Sequence, residues 1–209
     1  MSKCLVIAEV SSCHNGDLEL AKALIKSASK NGADIVKFQD WRSSNVPDTD
    51  SDKARYEKYE FKEEWYPILI DYCKEQGVEF LTTCFNTDRC KYLSSLGLKR
   101  IKLASISLTN TELLMMAGFC FEEVILSTGM QSKEEVEEAI DILATNAQKF
   151  TILHCRANYP TLPEDANLER INEIRKMLPE NGNVGYSDHS LDLDVAKTAL
   201  CMDISYLEK

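Results

Sequence analysis

Histidine is scarce in this chain, three among 209 residues, so imidazole chemistry has few places to reside. Basic residues are also in deficit: 24 Lys and Arg against 34 Asp and Glu leave a formal charge of -10. That balance argues against a nucleic-acid surface or an anionic membrane face, both of which favour a basic patch. It leaves room for a small anionic substrate, which needs only a local cluster of donors. No apolar run approaches the roughly 18 residues of a membrane span. No secretory leader is legible, and the eight cysteines show neither a disulfide framework nor CxxC or Cys/His zinc spacing. Cys4, Cys120, Cys155 and Cys201 sit in apolar runs, where cysteine behaves as a small core residue. The expectation is reduced thiols in a cytoplasmic protein. Low-complexity segments and linkers are lacking as well, so residues 1–209 read as one domain.

What is present is a rhythm. Short apolar runs recur at 4–10, 34–39, 78–85, 100–105, 123–129, 150–155, 184–189 and 203–208. They are near-continuous rather than alternating, as parallel strands covered on both faces would be. Helical patterns fall between them. "DLELAKALIKSASKNG" opens on Asp17 as a cap and closes on Gly32, and "SKEEVEEAIDILATN" begins with a capping box from Ser132 to Glu135. "EEWYPILIDYCKEQG" and "LDLDVAKTALCMD" behave likewise, with Pro67 either kinking the former or marking its first turn. Strand alternating with helix is the signature of βαβ units, and eight such strands suggest a (β/α)8 barrel. A doubly wound open sheet is the alternative, but no Gly-rich phosphate loop follows the first strand. The polar stretch 43–58 reads as a long loop after strand two.

In such barrels the chemistry gathers where strands end and βα loops begin. Lys37 and Lys102 fall inside otherwise apolar strands. A buried lysine is costly unless it meets an anion, so each either turns outward to solvent or serves a bound anion. With Ser105, Ser127 and Ser187 at neighbouring strand ends, the two would form an oxyanion or phosphate cradle. Gln39, Thr83 and Tyr159 lie at the same level. Glu9 and Glu208 end the first and last strands, neighbours in a closed barrel, where they could orient a lysine or act as general acid or base. His189, in "VGYSDHSLD", stands beside this cradle as a candidate metal ligand or base. His14 is a cap or a substrate contact, and His154 a core or a functional histidine.

The segments "IAEVSSCHNGDLELAKALI", "GADIVKFQ", "YCKEQGVEFLTTCF", "IKLASISLTN", "VILSTGM", "LHCRANYPTLPEDANL", "VGYSDHS" and "YLEK", in this order, resemble the sialic acid synthase family. The resemblance implies a TIM barrel that condenses phosphoenolpyruvate with an N-acylated hexosamine, N-acetylmannosamine or a relative. The product would be a nonulosonic acid, with phosphate released. It implies a divalent cation, Mn2+ or Mg2+, and a homodimer in the full-length parent. Carried over by motif, Lys37, Thr83, Lys102, Ser105, Ser127 and Ser187 would hold phosphoenolpyruvate, and Gln39 and Tyr159 would face the sugar. His189 would be one of two histidine ligands to the metal. Glu208 matches the glutamate of the last strand, and Glu9, Lys102, Glu208 and His189 form the expected catalytic group.

In the family the second metal histidine directly follows the pair matched here by Glu208 and Lys209, and a C-terminal antifreeze-like domain follows the barrel. Neither lies within these residues. The expectation is therefore a barrel truncated after strand eight, with that strand's outer face bare, and a chain inactive and marginally stable by itself. Two other functions compete: a non-catalytic sugar- or phosphate-binding or interaction barrel, and a Schiff-base aldolase with Lys102 or Lys37 as nucleophile.

Overall fold

The computed structural model describes residues 3–209. Eight parallel strands close into a barrel in chain order. They are β1 (Leu5–Ser11), β2 (Ile35–Gln39), β3 (Glu79–Thr83), β4 (Arg100–Leu103), β5 (Glu123–Ser127), β6 (Lys149–Cys155), β7 (Gly182–Ser187) and β8 (Tyr206–Glu208). Closure is made by β1 against β8, Leu5 opposite Tyr206 and Ile7 opposite Glu208. The helices are α1 (Leu18–Lys30), α2 (Lys53–Tyr59), α3 (Trp65–Glu75), α4 (Thr87–Ser95), α5 (Thr111–Cys120), α6 (Lys133–Asn146), α7 (Glu169–Met177) and α8 (Asp194–Leu200). The barrel inferred from the strand–helix rhythm is the fold, and each expected strand is found within three residues of its place.

Local chemistry sets the helix ends as read. The Asp17 carboxylate accepts from the N–H groups of Glu19 and Leu20 to start α1. Ser132 and Glu135 form the reciprocal capping box of α6. Pro67 lies in the first turn of α3, where its missing N–H would have had no intrahelical partner, so no kink results.

The period of two along each strand builds the interior in layers. Ile7, Ile35, Leu81, Ile125, Leu153 and Tyr206 form an apolar plug inside the barrel. Each fully buried side chain of this kind contributes roughly 1.5–3 kcal/mol. Two residues further along the same strands stand Glu9, Lys37, Thr83, Ser127, Cys155 and Glu208, all on the inner face at the C-terminal rim. Below the plug, Glu123 accepts from Arg100 (2.8 Å), Tyr206 (2.7 Å) and Thr151 (3.1 Å), forming a polar floor. Gly185 is required by this filling. A Cβ there would stand 2.4 Å from Leu153 Cδ2 and 2.7 Å from the Tyr206 carbonyl oxygen.

Three expectations are corrected. The stretch 43–58 is not a loop: it holds a short 3-10 turn (Ser43–Asn45) and most of α2. No residue of α2 is buried, so periodicity carried no signal there. The face of β8 is not bare, because Tyr206, Leu207 and Glu208 are all buried. Leu207 joins the layer between sheet and helices, in one continuous core with Val195, Ala199 and Ile204. All eight cysteines are free thiols, but Cys201 is exposed and Cys4 and Cys120 are only half-buried.

Candidate active site

A cavity of about 380 Å3 opens at the C-terminal rim. Lys37, Lys102, Ser105, Ser127 and Ser187 all line it, so the two lysines face one pocket rather than turning outward. Glu9, Gln39, Thr83, Tyr159, His189 and Glu208 line it too. The residues expected to bind substrate or metal or to act in catalysis are thus brought to one place, while His14 and His154 are not among them. Three further lining residues went unrecognised: Ser11, Ala104 and Cys155. Cys155 was read as core, although its parity two residues beyond Leu153 carried the signal.

The inner end of this pocket carries a charge-balanced quartet of Lys37, Lys102, Glu9 and Glu208. The Lys37 ammonium sits between the carboxylates, paired with Glu9 and 3.6 Å from Glu208 Oε2, with Thr83 Oγ1 at 3.4 Å. Lys102 Nζ donates to Ser127 Oγ (2.7 Å) and to the Leu103 carbonyl (2.9 Å). Ser187 Oγ donates to Glu208 Oε1 (2.8 Å). Glu9 Oε1 and Glu208 Oε2 are buried without a hydrogen-bond donor.

Burial and charge divide these four groups. Burial alone would depress Lys37, but Glu208 and Glu9 outweigh it and hold its pKa above the ordinary lysine value. Lys102 lacks a paired carboxylate, and burial brings its pKa below that value. Burial likewise raises the Glu9 carboxyl against the pull of Lys37. Burial would also raise Glu208, yet Lys102 and Lys37 prevail and keep it ionised below the usual range.

His189 stands at the mouth. Its Nδ1–H donates to the Arg156 carbonyl at 2.6 Å, and the Tyr159 ring stacks on it at 4.1 Å. Burial lowers its pKa, so the ring is neutral at pH 7 and Nε2 carries the lone pair. This is how a metal-binding imidazole is usually oriented. The loop bearing it is braced by Lys209, whose ammonium donates to Asp188 Oδ2 (2.6 Å) and the Ser190 carbonyl (2.8 Å). Among the described residues no three His, Cys, Asp or Glu side chains are placed to share a metal ion. The donor set therefore fits a cation as a single nitrogen ligand, not as a preformed cage.

The other histidines lie elsewhere. His14 is wholly buried, its Nδ1 accepting from the Gly16 N–H at 3.2 Å. His154 is a satisfied core residue whose Nε2–H donates to the Ala166 carbonyl at 2.8 Å.

Comparison with known proteins places these features in a family. Residues 24–209 match the model described as the NeuB family. The chain is 34% identical to the N,N'-diacetyllegionaminic acid synthase of Campylobacter jejuni, over 100% of this chain and 67% of that protein. It is 31% identical to the N-acetylneuraminate-9-phosphate synthase of Drosophila melanogaster, over 98% of this chain and 59% of that one. A crystal structure of the N-acetylneuraminic acid synthetase of Leptospira borgpetersenii superposes with a TM-score of 0.92 at 29% identity, covering 100% of this chain and 73% of that one. The chain spans about three-fifths to two-thirds of the length of the curated relatives it matches.

Proposed function

This chain belongs to the NeuB family, and from that premise we propose that it condenses phosphoenolpyruvate with an N-acylated amino sugar to a nonulosonic acid. The observation that carries the reading is the convergence of Lys37 and Lys102 with three serines in one buried pocket. Phosphoenolpyruvate bears a phosphate and a carboxylate, and ammonium–oxyanion hydrogen bonds are among the stronger ones available. Lys102 and Ser127 are already hydrogen-bonded to each other, so the donor set is ordered before substrate arrives.

In the reaction, C3 of phosphoenolpyruvate attacks the aldehyde carbon of the open-chain sugar. The aldehyde oxygen takes up a proton, and C2 becomes cationic. Water adds at C2 and loses a proton, and the tetrahedral species expels inorganic phosphate to leave the 2-keto acid. Glu208, ionised and facing Lys37, is suited to take the proton from the attacking water, and Glu9, paired with Lys37, is suited to hold that ammonium in place. Gln39 and Tyr159, which line the cavity, would face the sugar. A divalent cation, manganese or magnesium, would be held at His189 and would supply Lewis-acid polarisation of the acceptor carbonyl when bound. Relatives are named for products with and without a phosphate, so the family name alone leaves the acceptor class open.

Incubated with phosphoenolpyruvate, N-acetylmannosamine and manganese, the protein should release phosphate and form a nine-carbon acid by mass spectrometry. Binding of phosphoenolpyruvate with no product would favour a non-catalytic binding barrel. Trapping of a pyruvate adduct on Lys102 or Lys37 by borohydride would favour the aldolase, since the condensation forms no imine.

A further inference from the structure

The end of β2 is held from outside the barrel. Lys37 and Gln39 line the active-site cavity, whereas the Asp40 side chain is fully buried and forms no part of that lining. The Asp40 carboxylate accepts from the Tyr66 hydroxyl on α3 (2.6 Å) and from Arg89 Nε on α4 (2.6 Å), and Arg42 Nη2 lies 3.1 Å from it. The Asp40 N–H donates to the Thr83 carbonyl at 2.9 Å. Arg42 in turn reaches Glu60 at 3.3 Å, and the other Glu60 oxygen accepts from the Ser43 N–H at 3.0 Å. A buried carboxylate is tolerated only when it is paired, and this one meets two guanidinium groups and a phenol. Residues 40–43 are therefore fixed against two helices rather than left as a free loop.

Trp41 stands inside that fixed segment. Its ring stacks on Phe85, with centroids 4.0 Å apart and planes at 21°, and its indole N–H donates to Gln39 Oε1 at 2.6 Å. An indole N–H can only donate, so it can hold only the oxygen end of the Gln39 amide. The NH2 end, with its two donors, is then the one left for the cavity that Gln39 lines. An unrestrained glutamine amide offers either end to a ligand by turning about its last torsion, which has two broad wells. Here the choice is made before any ligand arrives.

We propose that Trp41 is a positioning residue for the acceptor: through its N–H it locks Gln39 as a donor, and the Gln39 N–H groups meet an oxygen of the acceptor sugar. The proposal rests on the reading of this pocket as the site that joins phosphoenolpyruvate to an amino sugar, with Gln39 on the sugar. Without the indole N–H the amide turns freely, and one of its two orientations sets oxygen against oxygen. Sugar binding then weakens, while Lys37, Lys102 and the three serines that serve phosphoenolpyruvate are untouched. Loss of an interaction made equally in the ground and transition states raises KM and leaves kcat unchanged.

Trp41→Phe tests this, because phenylalanine keeps an aromatic ring for Phe85 and removes the N–H. In steady-state kinetics with phosphoenolpyruvate, N-acetylmannosamine and manganese, the KM for the sugar should rise about three- to tenfold, the worth of one neutral hydrogen bond. The kcat and the KM for phosphoenolpyruvate should stay within about twofold of the native values, and thermal unfolding should be unchanged. Made in a Gln39→Ala background, the same substitution should raise the sugar KM no further, since the effect passes through Gln39. An unchanged sugar KM in Trp41→Phe would overturn the proposal. So would a rise of equal size in the Gln39→Ala background, or a parallel loss of phosphoenolpyruvate affinity and thermal stability. Turnover by the native protein separates the two levels. If product forms and Trp41→Phe matches the native protein, only the role of Trp41 falls; if the native protein makes no product, the reading of the active site falls and the proposal with it.

Discussion

Glu208 is the residue in which binding and chemistry pull apart. Its carboxylate accepts from Ser187 and faces Lys37, and it sits where an incoming anion would place more negative charge. Removing that charge should ease phosphoenolpyruvate binding while depriving the reaction of its base. Glu208→Gln is expected to bind phosphoenolpyruvate at least as tightly as the native protein while turnover drops by about 10²- to 10⁴-fold, the usual worth of a general acid or base. Calorimetry alongside a phosphate-release assay separates the two quantities. An equal loss in both would mean that Glu208 only positions Lys37. His189 illustrates a different limit of residue-scale reading. Its place at the pocket mouth follows from "YSDH" at a strand end, whereas its tautomer depends on the Arg156 carbonyl, which lies 33 residues away in sequence. No spacing in the sequence encodes that contact.

Among the elements, strands were legible and the small helix was not. Apolar runs bounded by turn residues mark strands because both faces of each are covered, and the barrel follows from their number. Alternation within them also encodes the pocket: the residue two beyond each plug residue is polar in β1, β2, β3, β5 and β8, and Lys102 holds that level in β4. α2 escaped because "KARYEKY" has no buried face and is held by tertiary contacts near Gly16. The polar floor was likewise invisible, since Glu123 meets Arg100, Thr151 and Tyr206 only after the barrel closes. There, burial would raise the Glu123 pKa, but Arg100 and Tyr206 outweigh it and lower it. A depressed carboxyl contributes stability above its unfolded pKa, near 4.3, and loses it as pH falls through the folded value. Glu123→Gln should therefore cost about 2–4 kcal/mol at pH 7 by urea unfolding, a loss typical of a broken buried ion pair. The gap from the native protein should narrow below about pH 4. A gap that stayed constant with pH would show that the floor is held by shape and not by charge.

The molecule as a whole carries a charge of -10, yet two lysines line the cavity at its barrel rim. The pocket itself is near balance, with Lys37 and Lys102 set against Glu9 and Glu208, so, with distant surface acids screened, an anion there would be held by directed donors. The plug of Ile7, Ile35, Leu81, Ile125, Leu153 and Tyr206 closes the barrel beneath them and excludes water from below. The central claim is that this pocket is a phosphoenolpyruvate site built on the two lysines. Titration calorimetry with phosphoenolpyruvate, on the native protein and on Lys102→Ala, tests it most directly. The account predicts saturable one-to-one binding to the native protein and a loss of about 30-fold or more in affinity for the variant, with its unfolding transition preserved. Undiminished affinity in a folded Lys102→Ala variant, or no binding to the native protein, would contradict it.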